Sequence, residues 1–196
     1  MCKLLKVDFN VALVGLNRAG VLAPVAFKGV YYLRNREERD LNTIKEDPLV
    51  IVANACNLRL GKNWYFGLAT ALQLSGLSNH QTLTTMTIIS KKRVSGSKPA
   101  IAGMNIEFKQ LAGVPYNKLI KTRGPIRFSD PARTILDYAY FSARNKQSQD
   151  YAKTVFADIN QKLGEEKILN KAKPLASKYP NLYAIFLKKF FEKGTP

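Results

Sequence analysis

The sequence predicts an α+β fold, and three observations carry that expectation. Apolar residues recur at helical spacing near the N-terminus, after Asp47, and through most of the last third. Between them, runs at Thr84 to Ser90, Met104 to Leu111 and Pro125 to Ser129 have strand character and predict a small sheet. Of 196 residues, 46% are hydrophobic and 23% charged, which is enough apolar surface to bury a core and too much for a disordered tail. The full expectation is a partial winged-helix-like N-terminus, then a mixed α/β domain with a small sheet, then a helical C-terminus. The division falls at Gly61-Lys62-Asn63, giving residues 1–61 and 62–196.

The first element runs from Leu4 to Ala19. Phe9, Leu13 and Leu16 form an apolar stripe, Asp8 suits an N-cap, and Gly20 suits the C-terminal stop. Val21 to Leu33 reads as a two-stranded ribbon that turns near Phe27 to Gly29, and Arg34 to Asp40 as a charged exit. A helix followed at once by a ribbon matches the second half of a winged helix-turn-helix, shortened at its start. In that module Asn10, Asn17 and Arg18 on the helix and Lys28 on the wing would face DNA. A plain packing hairpin is the competing reading.

Asp47-Pro48 starts a helix that places Leu49, Val52, Ala53 and Cys56 on one face and stops at Gly61. Trp64 to Leu77 reads as one helix, closely packed through Gly67, Ala69 and Ala71 and ended by Gly76. Two strands follow, separated by a loop that contains Lys91-Lys92-Arg93 and Lys98. A third short strand leads into Asp130-Pro131, an N-cap followed by a first-turn proline. Arg133 and Asp137 stand four apart on the resulting helix, where an exposed pair would contribute only about 0.5 kcal/mol. Tyr151, Val155, Ile159 and Leu163 mark another helix ending near Gly164. Leu182, Ile185, Phe186, Phe190 and Phe191 mark a last one.

Charge is the main anomaly. The chain has 31 Lys and Arg against 14 Asp and Glu, a net charge of +17, and its pI is about 9.9. The excess is spread along the chain: +3 before Lys62, +8 from Lys62 to Ala143, and +6 beyond. Such a field attracts polyanions, and Lys or Arg on a phosphate releases counterions. Contact candidates are Lys91, Lys92, Arg93, Lys98, Lys121, Arg123 and Arg127, with Tyr and Phe side chains nearby as stacking partners. A solvated basic face is the plainer alternative.

The order Tyr65, Ala69, Ala71-Leu72, Ser75-Gly76-Leu77, strand, basic loop, strand, then Asp130-Pro131-Ala132-Arg133-Thr134-Ile135-Leu136-Asp137 resembles the C-terminal domain of AbiEi-type antitoxins. The segment from Leu16 to Tyr32 is similar to the end of that family's N-terminal winged helix. The likeness covers most of Asp8 to Tyr140, and the Asp-Pro-x-Arg-Thr-x-Leu-Asp string is its most specific part. Ser75 stands where the family has His. The resemblance implies an antitoxin of a toxin–antitoxin system that neutralises a nucleotidyltransferase toxin and autorepresses its promoter by binding DNA. Tyr65, Ala71, Leu72, Gly76, Leu77, Asp130, Pro131, Arg133, Thr134, Leu136 and Asp137 are its motif positions. Their chemistry suits core and helix-start roles more than contacts with a partner.

The remaining inventory argues against catalysis. His80 is the only histidine, and Cys2 and Cys56 are too far apart in sequence for a metal ladder, so no metal or cofactor is implied. Glu107-Phe108-Lys109 has the Glu-x-Lys spacing of metal-dependent nucleases. No Asp or Glu lies between His80 and Ile106 to complete a two-carboxylate magnesium site. No apolar run approaches the length of a membrane span, and two cysteines fit a reducing interior, so a cytoplasmic protein is expected. Expected partners are promoter DNA and a cognate toxin. A general nucleic-acid-binding protein is the alternative, and a nuclease using Glu107 and Lys109 the lesser one.

Overall fold

The computed structural model describes residues 9–78, 84–95, 100–143 and 146–179. Asp8, Lys98 and the helix expected over Leu182 to Phe191 lie outside these residues. Helix α1 (Phe9–Arg18) ends as expected. Gly20 adopts a left-handed backbone (φ +68°). Its N–H donates to the Asn17 carbonyl at 3.0 Å, and the Val21 N–H donates to that of Leu16 at 3.0 Å. The ribbon follows: β1 (Leu22–Pro24) pairs antiparallel with β2 (Tyr31–Leu33), Leu22 opposite Leu33. Gly29 turns the chain at φ +77°.

The charged exit is itself ordered. Asn35 and Glu38 form a reciprocal capping box that starts α2 (Arg36–Asp40). The buried Glu38 carboxylate accepts from the Tyr32 hydroxyl at 2.9 Å and from the Lys45 N–H at 2.8 Å, tying ribbon, helix and following loop together. The backbone N–H groups of Lys45 and then Asn35 hold this carboxyl below its ordinary pKa. Asp47 caps α3 (Pro48–Leu60) through the Leu49 N–H at 2.8 Å, with Pro48 in the first turn and Gly61 at the stop.

The helix expected over Trp64 to Leu77 is corrected. Trp64–Phe66 is β3, the central strand of a five-stranded sheet ordered β5-β4-β3-β7-β6, and the helix α4 covers only Leu68–Leu74. A strand sends successive side chains to opposite faces. Here Trp64 and Phe66 enter the core under α3 and the ribbon, while Tyr65 enters the core under the later helices. All three are fully buried, each contributing on the order of 2–3 kcal/mol. With both faces covered there is no polar alternation to announce a strand.

Strand β4 (Thr85–Ser90) pairs antiparallel with β3 and parallel with β5 (Asn105–Gln110). Strand β7 (Ile126–Ser129) pairs parallel with β3 and antiparallel with β6 (Ile120–Arg123), a strand the sequence pattern did not reveal. Helices α5 (Pro131–Ser142), α6 (Lys146–Leu163) and α7 (Glu165–Ala176) pack on the Tyr65 face. Helix α7 lies within the expected helical C-terminus, as a separate element that the periodicity did not mark. On the other face, Val25, Ile51, Val52 and Cys56 share one cluster with Trp64, Phe66, Met86, Ile106 and Phe128, so the segments on either side of Gly61 join in a common core. Burial pushes the Cys56 thiol pKa up, which keeps it protonated and unreactive. The architecture is α+β. Among the described residues no helix is long and apolar enough to cross a membrane.

Candidate nucleic-acid interface

The sheet order gathers basic residues that are far apart in sequence. Strands β3 and β7 are parallel and start at the same end of the sheet, and β4, antiparallel to β3, finishes there. Helix α3 also ends there, because only the turn at residues 61–63 separates it from β3. Direct contacts tie these segments together. The Arg59 guanidinium donates to the Lys28 carbonyl at 2.7 Å, joining α3 to the ribbon tip. The Lys91 N–H donates to the Asn63 carbonyl at 3.1 Å, joining the end of β4 to the start of β3. Asn57 accepts from the Trp64 indole at 3.0 Å and donates to the Pro125 carbonyl at 3.3 Å, joining α3 to the β6–β7 turn.

The outcome is a rim made of Lys28, Arg59, Lys62, Lys91, Lys92, Arg93 and Arg123, all exposed. Among the described residues none of the seven takes part in an ion pair. The acidic start of α3, Glu46 and Asp47, lies at the other end of that helix, roughly 20 Å away at 1.5 Å per residue. Like charges gathered at one edge add their fields, so the rim is the natural seat for a polyanion.

Several expected contact residues lie elsewhere. Arg127 is half-buried, and its guanidinium donates to the carbonyls of Trp64 (3.3 Å), Lys62 (3.3 Å) and Tyr116 (3.0 Å). Burial lowers its pKa. It braces the rim from beneath and does not present itself to a phosphate. Lys121 points to the opposite end of β7 and pairs with Asp130 at 3.7 Å. Asn17 and Arg18 are exposed on α1, but they sit by the open end of the ribbon, whereas Lys28 occupies its tip. The side chain of Asn10 lies outside the described part of the chain. Of the Tyr and Phe side chains expected as stacking partners, Phe66, Tyr116 and Phe128 are buried, whereas Phe27, beside Lys28, is half-buried. Arg59 and Lys62 were missed from sequence. Both flank a glycine stop, and only the order of the strands shows that they join Lys91 to Arg93.

The motif positions from Tyr65 to Asp137 are mostly buried scaffold. The Asp130 carboxylate caps α5 through the Ala132 N–H at 3.1 Å and accepts from Lys171 at 2.8 Å. Thr134 bonds Ser129 at 2.7 Å and the Asp130 carbonyl at 3.1 Å. Ala71, Leu72, Pro131 and Leu136 are core, Gly76 ends α4 at φ +68°, and Leu77 packs against the Tyr65 cluster.

Arg133 and Asp137 are fully buried, which corrects the exposed pair considered from sequence. They do not approach each other within ion-pair distance. Arg133 forks its Nη1 to the carbonyls of Pro115 (2.6 Å) and Lys118 (2.7 Å) and lies 4.3 Å from the centre of the Tyr65 ring. Its Nε and Nη2 have no hydrogen-bond partner, consistent with a guanidinium stacked on aromatic faces. Asp137 accepts from the hydroxyls of Tyr65 and Tyr179. Burial pushes its carboxyl up to about 6, against the Arg133 charge and the two hydroxyls, which favour the ionised form.

Lys109 and Glu107 bond one another at 2.8 Å, and the β4 residue opposite Glu107 is Thr87. Among the described residues no group of three His, Cys, Asp or Glu side chains could hold a metal ion.

No family model matches the sequence, and no curated protein matches it. Among solved structures, the chain is similar to the RV2827C protein from Mycobacterium tuberculosis, with a TM-score of 0.59 at 14% identity. The alignment covers 96% of this chain and 66% of the other, so this chain spans a little under two thirds of the length of that structure. At that identity the likeness is one of fold: an α+β architecture shared over nearly all of this chain.

Proposed function

We propose that this chain is a nucleic-acid-binding regulator of the antitoxin type, holding the phosphate backbone of a duplex on its basic rim and neutralising a nucleotidyltransferase toxin. One observation carries the nucleic-acid part: four separate stretches of the chain bring seven exposed basic residues to one end of the sheet. Phosphate contacts of this kind supply affinity and position, while sequence is read by side chains in a groove. The antitoxin part is supported by the motif from Asp130 to Asp137 and by its resemblance to AbiEi-type proteins. The toxin is the partner that the resemblance implies, and promoter DNA is the ligand.

A second reading, sequence-neutral binding with no toxin partner, is favoured by the position of α1. Its Asn17 and Arg18 stand apart from the rim, so base reading and backbone holding are not joined in one surface. The test is binding to two labelled duplexes, one from the gene's own upstream region and one scrambled, across a salt series. Tighter binding to the upstream duplex that survives higher salt supports the autorepressor. Equal binding that collapses with salt supports the sequence-neutral reading. Co-elution with the purified toxin, or loss of toxin activity at excess of this protein, tests the second partner, and failure of both removes direct neutralisation.

A further inference from the structure

At the opposite end of β7 from the rim, α7 and the loop before β6 enclose a groove of about 300 Å³. Leu119, Pro174 and Leu175 line it, with Lys118 on one side and Lys171 and Lys178 on the other. Lys171, Leu175 and Lys178 are spaced four and three apart, so the turns of the chain bring them to one face, a leucine between two lysines. Lys171 is already held by Asp130 at 2.8 Å. Among the described residues no carboxylate pairs with Lys118 or Lys178, and both are exposed.

The wall on the loop side is held rigid. Arg133 fixes the carbonyls of Pro115 and Lys118 from below, and Arg127 fixes that of Tyr116. The groove is therefore preformed, and binding there would not have to order it first. Its apolar floor is unsuited to a phosphate backbone, because a phosphate would give up water to meet leucine and proline. Its volume is at the lower limit of small-molecule pockets, with room for an anchoring side chain and little more. An apolar slot flanked by Lys118 and Lys178, neither paired with a carboxylate among the described residues, complements an amphipathic acidic helix.

We infer that this groove is the docking site for an acidic segment of a partner protein, which seats an aliphatic anchor between Leu119 and Leu175 and sets carboxylates against Lys118 and Lys178. The site lies away from the rim, so it stands or falls independently of nucleic-acid binding.

The experiment is fluorescence anisotropy of the full chain with two labelled helix-forming peptides. Each has a central Leu-Leu pair, flanked in one by Glu and in the other by Gln. The Glu peptide is expected to bind about tenfold tighter than the Gln peptide, and Lys118→Glu with Lys178→Glu is expected to abolish that preference. The milder Lys118→Gln/Lys178→Gln variant, checked for an unchanged melting temperature, should reduce it. Equal binding of the two peptides, or a preference that survives both double variants, overturns the proposal. It is also overturned if the wild type self-associates through these lysines, which makes a second copy the occupant. Loss of duplex binding in the double variants as large as that caused by rim substitutions would assign the groove to the nucleic-acid surface and overturn it too.

Discussion

The Tyr65 hydroxyl lies 3.1 and 3.0 Å from the two oxygens of the Asp137 carboxylate, a buried contact that joins residues 72 positions apart. Tyr179 donates to the same carboxylate from beyond α7. One acidic side chain thus ties the central strand, the motif helix and the C-terminal end of the described chain.

The pH dependence of stability follows from that burial. The carboxyl of Asp137 is raised to about 6 in the folded state, above the ordinary value of about 4 that it takes when unfolded. The folded state then holds the proton more tightly. The stabilisation is complete below about pH 4 and is lost as pH rises through about 6, an effect on the order of 3 kcal/mol. Asp137→Asn removes the titration. The unfolding free energy of the wild type minus that of this variant should therefore fall between acidic and neutral pH, measured by urea denaturation. A rise would mean that Arg133 and the two tyrosines outweigh burial.

Arg133→Lys is expected to destabilise the fold by roughly 3 kcal/mol, because a lysine is shorter, so its ammonium does not take the place of Nη1 between the two carbonyls, and it lacks the flat face that stacks on Tyr65. Thermal melting checks this. A variant as stable as the wild type would show that the Pro115 to Leu119 loop holds its shape without the guanidinium.

Gly67 separates β3 from α4 where a Cβ would lie 2.3 Å from Ile89 Cδ1 and 2.8 Å from its Cγ1. Ile89 is fully buried and cannot swing away. Gly67→Ala should cost about 1–3 kcal/mol from overpacking. Adding Ile89→Val, which removes the closer atom, should recover part of the lost melting temperature. No recovery would place the cost in the backbone instead.

Arg127 separates bracing from contact. Arg127→Gln removes a donor to three carbonyls and should lower stability. It should leave the salt dependence of duplex binding steeper than that of any Lys91→Gln variant, since Lys91 is exposed and Arg127 is turned inward. A variant with full stability but flattened salt dependence would return Arg127 to the binding surface.

Much of the fold was legible in the sequence because its punctuation is local. Gly20, Asp47-Pro48, Gly61, Gly76 and Asp130-Pro131 each act through a cap or turn that needs no partner. The central strand was not legible, because Trp64, Tyr65 and Phe66 are buried on both faces and carry no alternation. Helix α7 was hidden by Pro174 within it and by charged residues along its exposed side. The rim was legible in part. Lys91 to Arg93 stood out as a run, but Arg59 and Lys62 join them only through the antiparallel pairing of β3 and β4. Arg127 looked like its basic neighbours in sequence, and only the folded chain shows which carbonyls claim it.

The most direct test of the rim is the salt dependence of duplex binding in two variants of equal net charge. One replaces Lys62, Lys91 and Lys92 by Gln, and the other replaces Lys153, Lys167 and Lys173 on α6 and α7. Each phosphate that is no longer neutralised should lower the slope of log affinity against log salt by about 0.9. The first variant should flatten the slope by between roughly two and three, and the second should leave it near that of the wild type. Equal flattening in both would mean that affinity follows net charge alone and that the rim is not the interface.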